Sequence, residues 1–287
     1  MEFRRYGDEY YNAVCDFLIE LNKGDDKHIN WNWARFEWMA EHPEFDKSLR
    51  DSIGLWFEGG RIIGTAIYDM YFGEAFCGAL PEHASLYREI LSYAYENLRD
   101  ENGLGIAICD GCDKELEAAR AMGFSPAEQE ETVMRLELDK LPSPVLPLGL
   151  AFRELDQVED IDSVEWAIWQ GFDHGSDREE FEREGRSSSK PRVHFDKRLS
   201  IGAVTEAGEV AALCCLWLMP HTDYAYVEPV CTVPSRRGMG VGSAVVKEAL
   251  RRASELGAKR AYVISDSRFY ESLGFKKARH YTFYWKK

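Results

Sequence analysis

Between Val227 and Ser243 the chain reads Val-Glu-Pro-Val-Cys-Thr-Val-Pro-Ser-Arg-Arg-Gly-Met-Gly-Val-Gly-Ser. A β-branched run stops at Pro234, a basic pair and three alternating glycines follow, and a long amphipathic segment begins near Gly240. A strand, a glycine turn and a helix start in that order build an anion site. Main-chain N–H groups converge there and the helix dipole adds partial positive charge. Gly238, Gly240 and Gly242 leave the main chain free of Cβ atoms, so a phosphate can approach it. Arg236 and Arg237 bring full charge to the same place. Met239, Val241 and Ser243 complete the set through their main chain. A dinucleotide fold would need G-x-G-x-x-G and an acidic residue after a second strand; the spacing here is G-x-G-x-G, and no such acid is evident.

Arg237-Gly-Met-Gly240-Val-Gly242 reads as R-x-x-G-x-G, which resembles the pyrophosphate loop of the GNAT superfamily of acetyl-CoA-dependent acyltransferases. The flanks extend the likeness. A strand over Ala225–Val233 precedes the loop, a helix over Gly240–Leu256 and a strand over Arg260–Ser265 follow it, and Tyr270-Glu-Ser-Leu-Gly274-Phe275 resembles the Y-x-x-x-G-F signature of the same superfamily. The structural alternative is a glycine turn that only caps a helix.

The 287 residues allow one large domain or two ordinary ones. A Pro-rich stretch over 140–148 separates 1–140 from 149–287 and reads as a semi-rigid linker. The halves repeat. Ala151-Phe-Arg-Glu-Leu echoes Glu2-Phe-Arg-Arg-Tyr, the hairpin signal at Glu206-Ala-Gly-Glu209 matches Glu58-Gly-Gly-Arg61, and Gly274-Phe275 matches Gly123-Phe124. The pattern implies an α/β chain of two tandem GNAT-like units, each a mixed, mostly antiparallel sheet flanked by helices. Where the second half has its glycine loop, the first has Leu80-Pro-Glu-His-Ala-Ser-Leu, and Ala119 stands in the place of Tyr270. By the resemblance the first copy is degenerate, without acetyl-CoA binding or catalysis.

All of the net charge of −15 lies in the first 140 residues; from 141 onward acids and bases balance. That argues against nucleic acid as a partner, since phosphate contact needs a basic stripe. An acidic half can steer a cationic substrate, or simply confer solubility. No apolar run is long enough for a bilayer and the N-terminus has no signal core, so a cytoplasmic protein, monomer or homodimer, is expected. The seven cysteines are scattered and read as reduced packing residues. Cys109-Asp-Gly-Cys112 is a lone C-x-x-C. A redox pair needs a helix N-terminus behind it and a zinc site a second pair; neither is visible, and no metal is expected. The aromatic segment Trp31, Phe36, Trp38 reads as core packing rather than a pocket.

Acyl transfer from a thioester to an amine requires a held donor, a polarised carbonyl, a deprotonated amine and a protonated leaving thiolate. The resemblance gives the polarising role to the main chain of Cys231, Thr232 and Val233, on a strand that splays from its neighbour. Pro229 fits such an opening, because it cannot donate to a ladder. Glu228 on that strand is the candidate base or water-positioning group, and its apolar neighbours should raise its pKa; the alternative is a structural ion pair. Tyr270 is the candidate acid at the sulfur, or a ring that packs and seats the donor. The superfamily's frequent Asn after the fifth strand is missing from Ser265-Asp-Ser-Arg268. On the helix after the loop, Val241, Val245, Ala249 and Ala253 form an apolar stripe, with Glu248 and Arg252 paired on the outer face. The acceptor should lie under the first helices: Trp166, Trp169, Phe172, Asp173 and His174, with Tyr224 and Tyr226 from the strand, suit a small amine with apolar parts. Core packing is the competing role for the tryptophans, and His194 and His221 have no assignable role. The reading is an N-acetyltransferase that passes the acetyl group of acetyl-CoA to a primary amine of a small molecule in a ternary complex, with a non-catalytic acyl-CoA-binding module as the alternative.

Overall fold

The computed structural model describes residues 1–40, 42, 45–139, 141–158, 161–185, 196–219 and 222–287. In chain order they form β1 (Glu2–Arg5), α1 (Tyr11–Leu21), α2 (Trp33–Ala40), β2 (Gly54–Glu58), β3 (Arg61–Tyr68), β4 (Ala75–Ala79), α3 (Tyr87–Asn97), β5 (Leu104–Cys109), α4 (Asp113–Ala121), β6 (Ser125–Glu137), β7 (Leu150–Glu154), α5 (Ile161–Gly171), α6 (Arg178–Glu180), β8 (Ser200–Thr205), β9 (Val210–Trp217), β10 (Tyr224–Thr232), α7 (Val241–Glu255), β11 (Arg260–Ile264), α8 (Arg268–Ser272) and β12 (Lys276–Lys286). They gather into two compact units that do not follow the chain. Unit 1 is Met1–Val133 with Ile264–Asp266 and Lys277–Lys287; unit 2 is Met134–Val263 with Ser267–Lys276. The strand that closes the second half of the sequence thus completes unit 1.

In unit 1, β1, β2, β3 and β4 pair in that order, all antiparallel. Gly59 and Gly60 both have positive φ, as a two-residue turn that matches strand twist requires, and Glu58 pairs with Arg61 across it. Trp33, Trp56, Tyr68, Leu18 and Ile29 are fully buried. Trp31 and Phe36 are core as well, with Trp31 stacked on Phe76 at 5.8 Å. A second ladder pairs β5 with β12, from Tyr281 opposite Cys109 to Lys286 opposite Leu104. β4 and β5 touch through an isolated parallel bridge, Glu74 to Gly105, and diverge beyond it.

In unit 2 the order is β7, β8, β9, β10, β11, with β10 and β11 parallel and the rest antiparallel. β9 is buried on both faces. Ala212, Cys214 and Leu216 face the cluster built with α7, and Leu213 and Cys215 face the cluster built with α5. A strand sandwiched this way reads as a continuous apolar run, which Val210–Trp217 is. The α7 stripe Val241, Val245, Ala249 and Ala253 is buried as its spacing requires. Glu248 is not on an outer face: it is 7% exposed and accepts from Arg251 and Arg252, and Arg252 also reaches Glu154 of β7 at 2.8 Å. The i,i+4 spacing shows one pair; a partner nearly a hundred positions away makes it a buried network.

Candidate active site

β10 carries the decisive irregularity. Val227 pairs with Leu216 and Val230 with Cys214, so three steps along β10 match two along β9. The extra residue is a bulge at Glu228-Pro229, where Pro229 has no N–H to give the ladder; the peptide between them is cis. One inserted residue reverses which face odd-numbered positions take. Ala225 and Val227 pack on the α7 side, whereas Cys231 and Val233 pack on the α5 side.

The strand also parts from its other neighbour. β10 pairs with β11 only over Tyr224–Tyr226, so from Val227 onward its second edge is open. The Val233 N–H donates to Ala211 of β9 at 3.0 Å. Alternation then turns the N–H groups of Thr232 and Val230 toward the open edge and that of Cys231 toward β9. Of the three residues expected to polarise a carbonyl, only Thr232 therefore presents its N–H to the opening. The Cys231 thiol is buried against Ala167 and Gly171 of α5, and burial pushes its pKa up to about 12.

The glycine loop closes the end of this opening. Gly238 and Gly240 have φ of +74° and +81°, conformations that L side chains rarely adopt, and a Cβ at either would meet nothing. Gly240 is the N-cap of α7 and no side chain caps the helix. The first-turn N–H groups, from Val241 onward, thus point out with no intrahelical acceptor. Gly242 differs. Its φ is helical, and a Cβ there would come within 2.5 Å of the Thr232 hydroxyl oxygen, so its smallness serves the packing of α7 on β10. Met239 is exposed and Ser243 half-buried at the helix start. Arg237 is committed within the fold. It donates to the Thr232 and Gly171 carbonyls at 3.1 and 2.9 Å and pairs with Asp173 at 2.9 Å. Arg236 has no ion-pair partner among the described residues, which leaves it as the cation available at the loop.

Glu228 and Tyr270 are supplied by different elements of unit 2. Glu228 accepts a hydrogen bond from the Tyr226 hydroxyl at 2.6 Å, and its main-chain carbonyl accepts from Trp217 at 2.7 Å. Tyr270 sits on α8, which Ser267 caps through the Phe269 N–H. Burial raises the Tyr270 pKa well above the usual phenol range, and the charges of Cys214 and Glu228 push it the same way, so the phenol and the carboxylate act on each other. Gly274, at φ +98°, ends α8 and lets the Phe275 N–H return to the Tyr270 carbonyl at 3.1 Å, which anchors the tyrosine.

The residues proposed for an acceptor divide. Trp169 stacks on His174 at 4.8 Å and meets Phe181 edge-on at 6.0 Å; Trp166 also lies against Phe181, with the Arg178 guanidinium over it. Phe181, which the sequence reading passed over, is fully buried at the centre of this group. Phe172 is 47% exposed. Asp173, at φ +62°, holds Arg237 rather than standing free. Tyr226 is buried and points at Glu228. His194 and His221 lie outside the described residues. A separate cleft of about 590 Å³ beside β7 and the Thr205–Glu209 turn is lined by none of these residues.

Residues 158–275 match the family model described as Acetyltransferase (GNAT) family. That region is a GNAT acyltransferase domain. The fold extends to the first half, which that match does not reach. The tandem GNAT protein from the clavulanic acid biosynthesis pathway superposes with a TM-score of 0.62 at 16% identity, covering 99% of this chain and 97% of its own. A GCN5-related N-acetyltransferase from Sphaerobacter thermophilus gives 0.59 at 16% identity, over 99% and 95%. A GNAT-family acetyltransferase from Colwellia psychrerythraea gives 0.58 at 13% identity, over the whole of both chains. At such identities these likenesses speak for the fold alone. No curated protein matches significantly in sequence. No described helix is long and apolar enough to cross a membrane, and no three His, Cys, Asp or Glu side chains among the described residues gather as metal ligands.

Proposed function

We propose that unit 2 binds acetyl-CoA and transfers its acetyl group to a primary amine of a small molecule by direct attack in a ternary complex, and that unit 1 has lost donor binding. The observation that carries this reading is the coincidence of β10's open edge with the uncapped start of α7. The N–H groups from Gly238 to Ser243, with Arg236, would hold the diphosphate. Those of Val230 and Thr232 would meet the pantetheine arm and the thioester oxygen, where preorganised donors act on charge as it develops. Glu228, on the bulge, would take the amine proton or orient a water that does. Tyr270 keeps its proton at neutral pH, because its raised pKa opposes ionisation. It would therefore first donate a hydrogen bond to the sulfur, with full transfer as the buried thiolate gains charge.

Calorimetry with acetyl-CoA and a thiol-release assay over a panel of amines test this. Donor binding with amine-dependent release is expected, and Tyr270→Phe should slow release more than it weakens binding. The hydrogen bond that Glu228 already accepts from Tyr226 makes it a weaker base and favours a second reading, a non-catalytic acyl-CoA-binding module. Tight donor binding without release for any amine, unaltered by Tyr270→Phe, would establish that alternative.

A further inference from the structure

Unit 1 keeps the divergence of β4 from β5 but lines it differently. A cleft of about 430 Å³ lies there, walled by Ala79 at the end of β4, Pro81 and Tyr87 before and at the start of α3, and Cys112 to Glu115 at the start of α4. The C-x-x-C set aside in the sequence sits on its wall. Cys109 is the last residue of β5 and Cys112 is the N-cap of α4, a nine-residue helix. The helix N-terminus that a reactive pair needs, and that is not visible in the sequence, is therefore present.

Four observations bear on the pair. The Cys112 N–H donates to the Cys109 carbonyl at 3.0 Å, so the four residues form a closed turn. Such a turn brings its end Cα atoms within about 7 Å, the range a disulfide spans. The interaction between the two thiols lowers the Cys109 pKa, helped by Arg279, and raises that of Cys112. His28 stands beside Cys112 and pairs with Glu115 at 3.3 Å. Gly111, between the cysteines, has φ of +83°, and a Cβ there would meet nothing, so the turn is not roofed over.

We propose that Cys109 and Cys112 form a thiol–disulfide exchange site in unit 1, open through this cleft to a low-molecular-weight disulfide. Cys112 lines the cleft and is the entry sulfur, its proton passing to solvent. Its thiolate attacks one sulfur of the disulfide RSSR, forming a mixed disulfide and releasing RS⁻, which takes a proton from solvent. Cys109 then attacks the Cys112 sulfur, forming the internal disulfide and expelling the second RS⁻, which takes the remaining proton. The balance is one dithiol and RSSR giving one protein disulfide and two RSH; the protein is oxidised and RSSR reduced. None of this depends on acyl transfer in unit 2.

The test uses the full native chain, equilibrated in glutathione buffers from fully reduced to fully oxidised, acid-quenched, alkylated under denaturing conditions and digested with trypsin. The peptide Asp100–Lys114 contains both cysteines and no others. It should pass from doubly alkylated to a form two hydrogens lighter than the dithiol, while Cys15, Cys77, Cys214, Cys215 and Cys231 remain alkylated. In C109S, glutathione should accumulate on Cys112. A wild-type peptide that stays doubly alkylated at the oxidised limit overturns the proposal, and so does one that takes up glutathione but never closes. The wild-type result stands even where C109S folds poorly.

Discussion

The two copies share a scaffold down to single hydrogen bonds. Phe124 returns its N–H to Ala119 at 3.1 Å and Phe275 returns its own to Tyr270 at 3.1 Å, past Gly123 and Gly274, both at positive φ. They part at three places. β4 pairs with β3 without a break and all five of its residues are buried, whereas β10 bulges and carries a half-buried carboxylate. α3 is entered through a 3-10 turn whose Ala84 carbonyl accepts from the Tyr87 N–H, whereas α7 starts from a left-handed glycine with no cap. Ala119 fills the position of the phenol. The difference teaches that the two copies part at one inserted residue, one backbone conformation and one side chain, which are the features the proposed chemistry uses.

The largest expected effect tests the bulge. Glu228→Gln should lower kcat by about 10²- to 10⁴-fold if the carboxylate moves the proton, with donor affinity retained. A kcat within a few-fold of wild type would mean the bulge shapes the opening and does no chemistry. Next is the buried carboxylate of α7, for which α3 has only apolar buried residues. Arg251 and then Arg252 hold Glu248 below the usual carboxylate range despite its burial. Glu248→Ala should cost on the order of 3 kcal/mol by denaturant unfolding, since it removes the carboxylate that joins two arginines and leaves each only its second carboxylate partner, Glu255 or Glu154. The folded pKa is depressed, so the wild-type contribution is present above the unfolded value near 4.5 and disappears as pH falls through the folded one. A variant that unfolds like wild type would show the network to be ornamental.

Gly240→Asp, which sets a charge and a Cβ at the loop, should weaken acetyl-CoA about 100-fold or more by calorimetry. Unchanged affinity would remove the loop from the comparison. Tyr270→Phe should reduce kcat by about 10-fold, the value of one hydrogen bond to a charged group, and the converse Ala119→Tyr should confer no donor binding on unit 1. The smallest effect is at His28. Burial opposes its charge, but the hydrogen bond and charge of Glu115 prevail and its pKa is raised. Its folded pKa lies above the unfolded value, so its stabilisation is complete below about pH 6.5 and is lost as pH rises through the folded pKa. A Tm series from pH 5 to 9 should show a shallow decline that His28→Gln flattens.

Local features were legible in the sequence and remote ones were not. The loop, the α7 stripe, both hairpins and the bulge that Pro229 signals depend on neighbours within a few positions. The roles of Gly242, Arg237 and Glu248 depend on Thr232, Gly171 and Glu154, which only the folded chain brings near. Asp173 looked like an acceptor contact because nothing local announces its pairing with Arg237. For Cys112 a usable signal existed. Asp113 and Glu115 are acids placed where a helix's first turn favours them, and they mark a start at Asp113.

The return of Lys277–Lys287 to unit 1 has a consequence for how the protein is made. During synthesis β5 waits with an unpaired edge while the whole of the second half leaves the ribosome, and only then does β12 arrive to cover it. Damage to the tail, whether by a premature stop or a bulky fusion, should therefore be felt in the portion translated first. A fragment ending near residue 140 would be a frayed piece rather than a self-contained domain.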